Sequence, residues 1–261
     1  MSEVGVLIKD WRERRRLSQL ELANEAGVSA RHLSFIETGR SKPTSKMILR
    51  LAEELDVPLR AQNQLLLAGG FAPAHEERAV TELSVVNDAI EAILQGHLPY
   101  PALAVDLGWE LVAGNDAMYA MAALAAPHLM EPPVNVIRVT LHPEGLAPYV
   151  VNLAQWRRAL VERLHADFAA NPDQRLRDLL DEIATYPGGG EEAEPTGGLV
   201  VPLQLRVGDQ VLSMFSTTTV FGTPREVTVS ELAIEAFYPA DEATRSFFLG
   251  VSPAEPSQLG G

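Results

Sequence analysis

The hydrophobic positions of this chain follow two different periods. Apolar residues recur at helical spacing from residue 20 to 36, from 45 to 56, and from Ala79 to about Gln95. Between Val201 and Val207 apolar and polar residues alternate, and the Gly208-Asp209 pair that follows predicts a hairpin turn into a second strand. The pattern predicts an all-helical first domain and a second domain in which helices accompany antiparallel strands.

The first domain contains the signals of two short helices joined by a turn. Ser18 and Glu21 have the spacing of a capping box, Gly27 ends the helix that begins there, and Ser29 caps the next helix, which ends at Gly39. The predicted buried positions are Leu20, Leu22, Ala23 and Ala26 in the first helix, and Leu33 and Ile36 in the second. Such a pair is the geometry that reads DNA, and a pair that only contacts other proteins is the alternative.

Residues 4–68 resemble the Cro/repressor-like (XRE) family of DNA-binding domains, through the strings LIKDWRERRRLSQLELA, GVSARHLSFIETGRSKPT and MILRLAEELDVPL. The resemblance implies a structural ion pair between Arg12 and Glu37, and phosphate contacts by Gln19 and Arg40. It assigns base contacts to the first turns of the second helix, and we expect these from Arg31 and Ser34. The remaining candidates on this surface are Ser29, Ala30 and Phe35, the last two for thymine methyl groups, and His32, which departs from the small hydroxyl residue of the family.

Charge is divided unevenly along the chain. Residues 1–60 contain eleven Lys and Arg against nine acidic residues, whereas the remaining 201 residues contain ten against twenty-six. With a formal net charge of −14, the protein as a whole repels nucleic acid, so DNA binding has to depend on the local field of the first domain. The arginines at 14–16 serve either as phosphate contacts or as a solvated helix end.

Length and composition allow a second domain with a core of its own. The chain has 261 residues, of which 46% are hydrophobic. We predict a DNA-binding domain at 1–70, a hinge at 71–78, a ligand-binding domain at 79–250 and a disordered tail at 251–261. Cysteine is absent, which excludes disulfides and thiolate metal sites and is compatible with a reducing cytosol. We expect a soluble, cytoplasmic protein without a leader or a membrane-spanning segment.

After its first helix, the second domain is predicted to contain strands near both of its ends. The string ALAVDLGWELVAGN predicts two short strands around a turn at 106–108, followed by a helix at 115–124 and a short apolar segment at 136–141. After two further helices and a mobile acidic loop at 186–198 come three strands, the third from Val227 to Tyr238. The acidic residues expected on the solvent side of this last strand are Glu231 and Glu235.

This order of elements is that of a PAS-like sensor, in which helices cover one sheet around a cavity. The chain also resembles the MmyB-like transcription regulators, in which an XRE domain precedes a PAS-like ligand-binding domain. The strings that carry this resemblance, besides SARHLSFIETGRSKP, are PYPALAVDLGWELVAGN, NVIRVTLHPEGLAP, NLAQWRRAL and STTTVFGTPREVTVSELAIEAFYPADEAT. The resemblance implies an α+β fold and a bacterial transcription factor whose second domain binds an apolar small molecule, fatty acids being the usual suggestion.

Arg138 is the basic side chain that stands out in the second domain, because it lies alone within the apolar run VNVIRVTL. It either pairs with a protein acid such as Asp106, Asp116 or Glu144, or reaches the surface, or binds the anionic end of a ligand. His142 is the next candidate for that anion. The candidate walls of an apolar cavity are Met118, Tyr119, Trp156, Phe215 and Phe221.

The sequence contains no catalytic or metal-binding motif. The six histidines are scattered, and the glycines at 188–190 lack the preceding strand and the Lys-Ser/Thr of a phosphate-binding loop. We therefore expect no enzyme activity, no metal and no cofactor beyond a non-covalent, lipid-like ligand. The predicted function is a transcription regulator that binds double-stranded DNA as a homodimer and responds to a small apolar ligand. An antitoxin-like repressor whose second domain binds a protein, and an enzyme fused to a DNA-binding domain, are the alternatives.

Overall fold

A computed structural model of the chain describes residues 2–188 and 200–250. These residues form two compact units. The first unit contains the chain up to Glu82 and a later, returning segment, Gly222–Ser230, whereas the second contains Leu83–Phe221 and the chain from Glu231 onward. The sequence pattern does not predict the returning segment. The expected tail at 251–261 and most of the expected acidic loop at 186–198 lie outside the described residues.

Five helices build most of the first unit: α1 (Glu3–Arg14), α2 (Gln19–Glu25), α3 (Ala30–Glu37), α4 (Ser45–Glu54) and α5 (Leu59–Ala68). The capping box is present, since the Ser18 hydroxyl accepts from the Glu21 backbone N–H at 3.2 Å and the Glu21 carboxylate accepts from the Ser18 N–H at 2.7 Å. Ser29 caps α3 by accepting from the His32 N–H at 3.1 Å. Gly27, between α2 and α3, has a φ of +57°, a conformation that glycine adopts without strain.

The core of the first unit is closed and apolar. Its fully buried side chains include Ile8, Leu22, Leu33, Ile36, Ile48 and Leu51. Leu20, expected to be buried, is instead 60% exposed. It precedes Leu22 by two residues and therefore lies about 200° around the helix from it, away from the buried face.

The chain predicted as a hinge at 71–78 is hydrogen-bonded within the first unit. The Asn63 side-chain oxygen accepts from the backbone N–H groups of Ala74 and His75, both at 3.0 Å, and its nitrogen donates to the His75 carbonyl at 2.8 Å. Asn63 belongs to α5 and is itself buried. The segment is thus part of the packing of this unit.

The returning segment is attached to the same region. One Glu226 carboxylate oxygen accepts from the Arg78 backbone N–H at 2.7 Å, and the other accepts from the Val229 N–H at 2.9 Å. The Val227 N–H donates to the Glu76 carbonyl at 2.9 Å, and the Val227 side chain is fully buried. Glu226 therefore both anchors the segment and caps the N-terminus of the short helix that follows it.

This short helix corrects one predicted strand. The β-branched residues after Glu226 predict a strand from Val227, but the structure has helix α11 (Val227–Ser230) there and begins the strand only at Ala233. The Glu226 carboxylate accepts the Val229 N–H and so favours a helical turn over an extended chain.

The second unit is built on one antiparallel sheet of five strands: β1 (Ala102–Val105), β2 (Leu111–Gly114), β3 (Leu203–Val207), β4 (Gln210–Val220) and β5 (Ala233–Pro239). Their spatial order is β2-β1-β5-β4-β3, so the last strand in the chain occupies the middle of the sheet. The predicted turn after β1 is confirmed. It is closed by Asp106, whose carboxylate accepts from the backbone N–H groups of Gly108 and Glu110, both at 2.9 Å.

Six helices of at least six residues accompany this sheet in the described part of the chain: α6 (Ser84–Gly96), α7 (Asp116–Ala122), α8 (Val136–Leu141), α9 (Leu153–Ala170), α10 (Gln174–Ala184) and α12 (Glu242–Leu249). The apolar segment predicted at 136–141 is helix α8, because the Asn135 side chain caps it by accepting from the Arg138 N–H at 3.0 Å. The fold class is α+β, as predicted, with an all-helical first unit and a sheet-based second unit.

Candidate DNA-binding surface and ligand cavity

A buried ion pair holds the predicted recognition helix α3. The Arg12 Nε and Nη2 atoms donate to the two carboxylate oxygens of Glu37 at 2.7 and 2.9 Å, and Arg12 Nη1 donates to the Leu17 carbonyl at 2.8 Å. The side chains of Arg12 and Glu37 are only 9% and 2% exposed. The hydrogen bonds to Glu37 raise the pKa of Arg12 above its usual value. The pair therefore joins α1 to the end of α3, as the family resemblance implies.

Gln19, expected to contact phosphate, lies beside this pair. Its side-chain nitrogen donates to a Glu37 carboxylate oxygen at 2.7 Å. Gln19 is the first residue of α2, and Glu37 is the last residue of α3. The start of the first helix of the motif is thus fixed against the end of the second.

The predicted base-reading residues lie on the outer side of α3. Arg31 is exposed, and its guanidinium lies 5.4 Å from the centre of the Phe35 ring. The Arg40 guanidinium, also exposed, lies 5.9 Å from the same ring. Phe35 therefore forms an aromatic platform that both cations contact. The other predicted positions are partly or largely exposed as well: Ser29, Ala30, His32 and Ser34.

Two adjoining cavities lie in the second unit. The larger has a volume of about 260 Å³ and is walled mainly by α8, α9 and strands β1, β4 and β5. The smaller has a volume of about 70 Å³ and lies among β1, α7 and α8. They share four wall residues: Leu103, Val136, Thr140 and Phe237. The two cavities therefore adjoin along these residues.

The larger cavity has an ion pair in its wall that the sequence interpretation missed. Arg163 of α9 donates from both terminal nitrogens to the Glu235 carboxylate, at 2.6 and 3.1 Å, and the Thr218 hydroxyl donates to Glu235 at 2.8 Å. The Arg163 guanidinium also lies 4.5 Å from the centre of the Trp109 ring. Glu235 was expected on the solvent side of its strand, and this is wrong, since Glu235 is 4% exposed.

The prediction that Glu235 faces solvent is wrong for a physical reason. Arg163 of helix α9 lies against the face of β5 that carries Glu235, so the Glu235 carboxylate is buried and paired with the Arg163 guanidinium at 2.6 Å. Helical spacing already carries a signal for this pair. Arg163 follows the predicted wall residue Trp156 by seven residues, which places both on one face of α9.

The predicted cavity residues divide into two groups. Trp156 and Phe215 line the larger cavity, and Met118 lines the smaller one. Tyr119 and Phe221 line neither, because Tyr119 lies on the outer side of α7, where it is 45% exposed, and Phe221 lies just beyond the end of β4.

Arg138, the first candidate for a ligand carboxylate, is paired with a protein acid. Its Nε and Nη2 atoms donate to the Glu182 carboxylate, both at 2.7 Å, and neither Arg138 nor His142 lines either cavity. The hydrogen bonds from Arg138 lower the pKa of Glu182, whereas burial and the hydrogen bond to Glu182 raise the pKa of Tyr186. An internal pair was one of the predicted alternatives for Arg138, but none of the proposed partners was Glu182.

Two family models match this chain. A helix-turn-helix model matches residues 8–62, and the model of the MmyB-like transcription regulator ligand binding domain matches residues 86–249. The second match covers more than half of the chain and includes both cavities. The chain belongs to the MmyB-like transcription regulators. Both resemblances inferred from the sequence are thereby confirmed.

Two relatives with a described role match about a quarter to a third of this chain. The ImmF control region 10 kDa protein of Bacillus phage phi105 is 37% identical over 73 residues, which are 26% of this chain and 81% of that protein. The HTH-type transcriptional repressor RghR of Bacillus subtilis (strain 168) is 37% identical over 83 residues, which are 31% of this chain and 60% of that protein. These relatives and the family make the chain a DNA-binding transcription regulator with a ligand-binding domain.

A solved structure, an RNA-binding Light-Oxygen-Voltage receptor, aligns with 95% of this chain and 62% of its own at 12% identity and a TM-score of 0.28. None of the helices in the described part of the chain combines the length and the apolar character that a membrane span requires.

Proposed function

We propose that the second unit binds an apolar, fatty-acyl-like small molecule and that this binding changes the affinity of the first unit for a specific DNA site. The observation that carries the proposal is the cavity of about 260 Å³, which lies in the region matched to a ligand-binding domain and adjoins a second apolar cavity. Ligand sites in proteins are concave, mostly apolar, and contain a few polar groups, which describes this cavity. Each methylene group buried there contributes about 0.8 kcal/mol to binding.

DNA binding is assigned to α2 and α3. The exposed Arg31 and Arg40 provide positive charge near the start and beyond the end of α3, and the Arg12–Glu37 pair holds that helix in position. We propose that Arg31 and Ser34 contact bases and that Gln19 and Arg40 contact phosphate, with two copies of the chain binding two half-sites.

The ligand proposal is tested by filling the cavity. Ala159 of α9 lines it, so Ala159→Phe is expected to displace the ligand. Ala166→Phe is the matched control, because it makes the same change at an exposed position of the same helix. Native mass spectrometry of full-length protein from cells should show a bound small molecule in the wild type and in the Ala166 variant only. A wild-type chain of unliganded mass would favour the alternative of a protein-interaction domain.

Regulation requires a further measurement. A ligand changes DNA affinity only if it prefers one of two states of the protein, and the effect is then reciprocal. Affinity for the operator found by genomic footprinting should differ between ligand-free protein and protein with the extracted ligand. The Ala159→Phe variant should not show this difference. Sedimentation of the protein with operator duplex reports whether two copies bind each site.

A further inference from the structure

The ring of Phe35 brings two cations of the DNA-binding surface together. The Arg31 guanidinium lies 5.4 Å and the Arg40 guanidinium 5.9 Å from the centre of this ring. The face of an aromatic ring attracts cations, which holds both groups there. The two like charges also repel each other, and an electronegative group of DNA beside them relieves that repulsion. Arg31, Phe35 and Arg40 therefore form one binding site.

Helix geometry sets the position of Arg31 against the ring. Residues four apart are neighbours on the surface of a helix, as Arg31 and Phe35 are on α3. Leu33 and Ile36 are fully buried and so fix which side of α3 faces the core. Arg31 is exposed and Phe35 is partly exposed. The contact between them therefore lies on the side of α3 that is open to solvent.

The backbone of Phe35 sets the position of Arg40. The Phe35 carbonyl accepts from the Arg40 backbone N–H at 2.8 Å and from the Ser41 N–H at 3.0 Å. Gly39 has a φ of +75°, which ends the helix and turns the chain so that these hydrogen bonds form. Phe35 thus holds Arg40 through its carbonyl as well as through its ring.

We propose that Phe35 is a positioning residue, whose ring holds Arg31 in the orientation that reads a base and Arg40 in the orientation that contacts a phosphate. An arginine that is already held loses less side-chain freedom on binding. Paired hydrogen bonds from arginine to guanine require a fixed guanidinium plane. This role differs from the thymine methyl contact expected for Phe35, and it rests on the proposed function, in which both arginines contact DNA.

The test removes the ring and keeps the helix. Phe35→Leu should weaken binding of the full-length protein to the operator found by genomic footprinting about fivefold, measured by fluorescence anisotropy. Phe35→Tyr keeps the aromatic face and should bind within about twofold of the wild type. Phe168→Leu is the matched control, because it removes a ring that lies 5.6 Å from the Arg177 guanidinium in the second unit, and it should leave the affinity unchanged.

A double-mutant cycle separates positioning from direct contact. In an Arg31→Ala background, Phe35→Leu should weaken binding only about twofold, since the ring then holds Arg40 alone. Operator duplexes changed one base pair at a time give the preference at each position. Phe35→Leu should relax preference at the same position as Arg31→Ala does.

The outcomes distinguish this inference from the proposed function. A relaxed preference at a separate A·T pair, with a loss that adds to that of Arg31→Ala, would make Phe35 a thymine reader and overturn the inference alone. Unchanged affinity in folded Phe35→Leu protein would also overturn it. Equal binding of operator and random duplex by the wild type would contradict the proposed function itself. Thermal unfolding checks each variant, and Phe35→Met repeats the ring removal if Phe35→Leu is unfolded.

Discussion

The arginines of the two units differ in what they contact. In the first unit Arg12 pairs with the buried Glu37, whereas Arg31 and Arg40 contact the Phe35 ring and have no carboxylate partner in the described part of the chain. In the second unit Arg138 and Arg163 each bind a glutamate through two nitrogens. The two exposed cations at α3 are thus available to an external polyanion, whereas Arg138 and Arg163 are neutralised within the second unit.

This difference indicates what each unit can bind. Phosphate groups are attracted by cations that are exposed and unpaired, which the surface of α3 provides. Among the described residues that line the two cavities, the charged ones are Arg163 and Glu235, and these two pair with each other. Net charge alone does not show this contrast, because it depends on which cation is paired.

The largest effect is expected from breaking the buried pair of the first unit. Glu37→Ala leaves Arg12 buried without a partner and should reduce the free energy of unfolding of this unit by about 3–5 kcal/mol. Hydrogen exchange measured by mass spectrometry should show increased opening of α1 and α3. Glu53→Ala, an exposed position on α4, is the control and should change little. An unchanged unfolding curve for Glu37→Ala would refute a structural role of the pair.

A smaller effect is expected for the corresponding pair in the cavity wall. Arg163→Met strands Glu235 and should cost about 2–3 kcal/mol, less than in the first unit because the Arg163 side chain is 32% exposed and water can reach the site. Combining it with Glu235→Leu should recover most of this loss, since an apolar pair suits an apolar cavity. Chemical denaturation of both variants measures the difference, and a double variant less stable than the single one would argue against this comparison.

The next prediction concerns the exposed cations. Arg31→Ala should cost about 1–3 kcal/mol on the specific site and relax preference at one base position, whereas Arg40→Ala should weaken specific and random duplexes alike. Fluorescence anisotropy with both duplexes at several salt concentrations separates the two effects. If Arg31→Ala weakened both duplexes equally, Arg31 would be a phosphate contact and not a base reader.

The smallest effect is a dependence of stability on pH. Arg138 lowers the pKa of Glu182 in the folded protein from its ordinary value of 4.5, so the pair stabilises the fold above that value and the contribution is lost as pH falls through the lowered pKa. Glu182→Gln should therefore reduce stability at pH 7 by less than about 1 kcal/mol, because the pair is about one third exposed, and should reduce it less at pH 3 than at pH 7. Melting temperatures across this range measure it, and equal losses at both pH values would exclude the ion pair as the cause.

The sequence predicts the helix-turn-helix of the first unit well because the signals that mark its helix ends are local. The capping box spans four residues, and the Arg12–Glu37 pair is implied by a family pattern that covers the whole motif. In the second unit the decisive pairs join distant positions, since Arg138 and Glu182 are 44 residues apart and Arg163 and Glu235 are 72 apart. Local pattern shows that Arg138 needs a partner. Only the packing of α8 against α10 shows that the partner is Glu182.

The strand predicted from Val227 and the solvent exposure predicted for Glu235 are wrong for the same reason. The run after Glu226 has high β-propensity, but the Glu226 carboxylate and the burial of Val227 in the first unit select a helical turn. Alternation along β5 predicts a solvent-facing position for Glu235, but the side chain is buried and pairs with Arg163 of α9. In both cases tertiary contacts override a correct local preference.

The returning segment limits how this regulator can be divided or recombined. A fragment that ends at Glu82 would lose the Glu226 carboxylate that binds the Arg78 N–H, and also the buried Val227 side chain. The first unit is therefore built from two separate segments of the sequence. If residues 1–82 alone were fused to another sensor domain, the unit would lack its second segment. A chimera that keeps the first unit complete would have to carry residues 222–230 of this chain as well, inserted into the connection of the other sensor domain that corresponds to the one between β4 and β5.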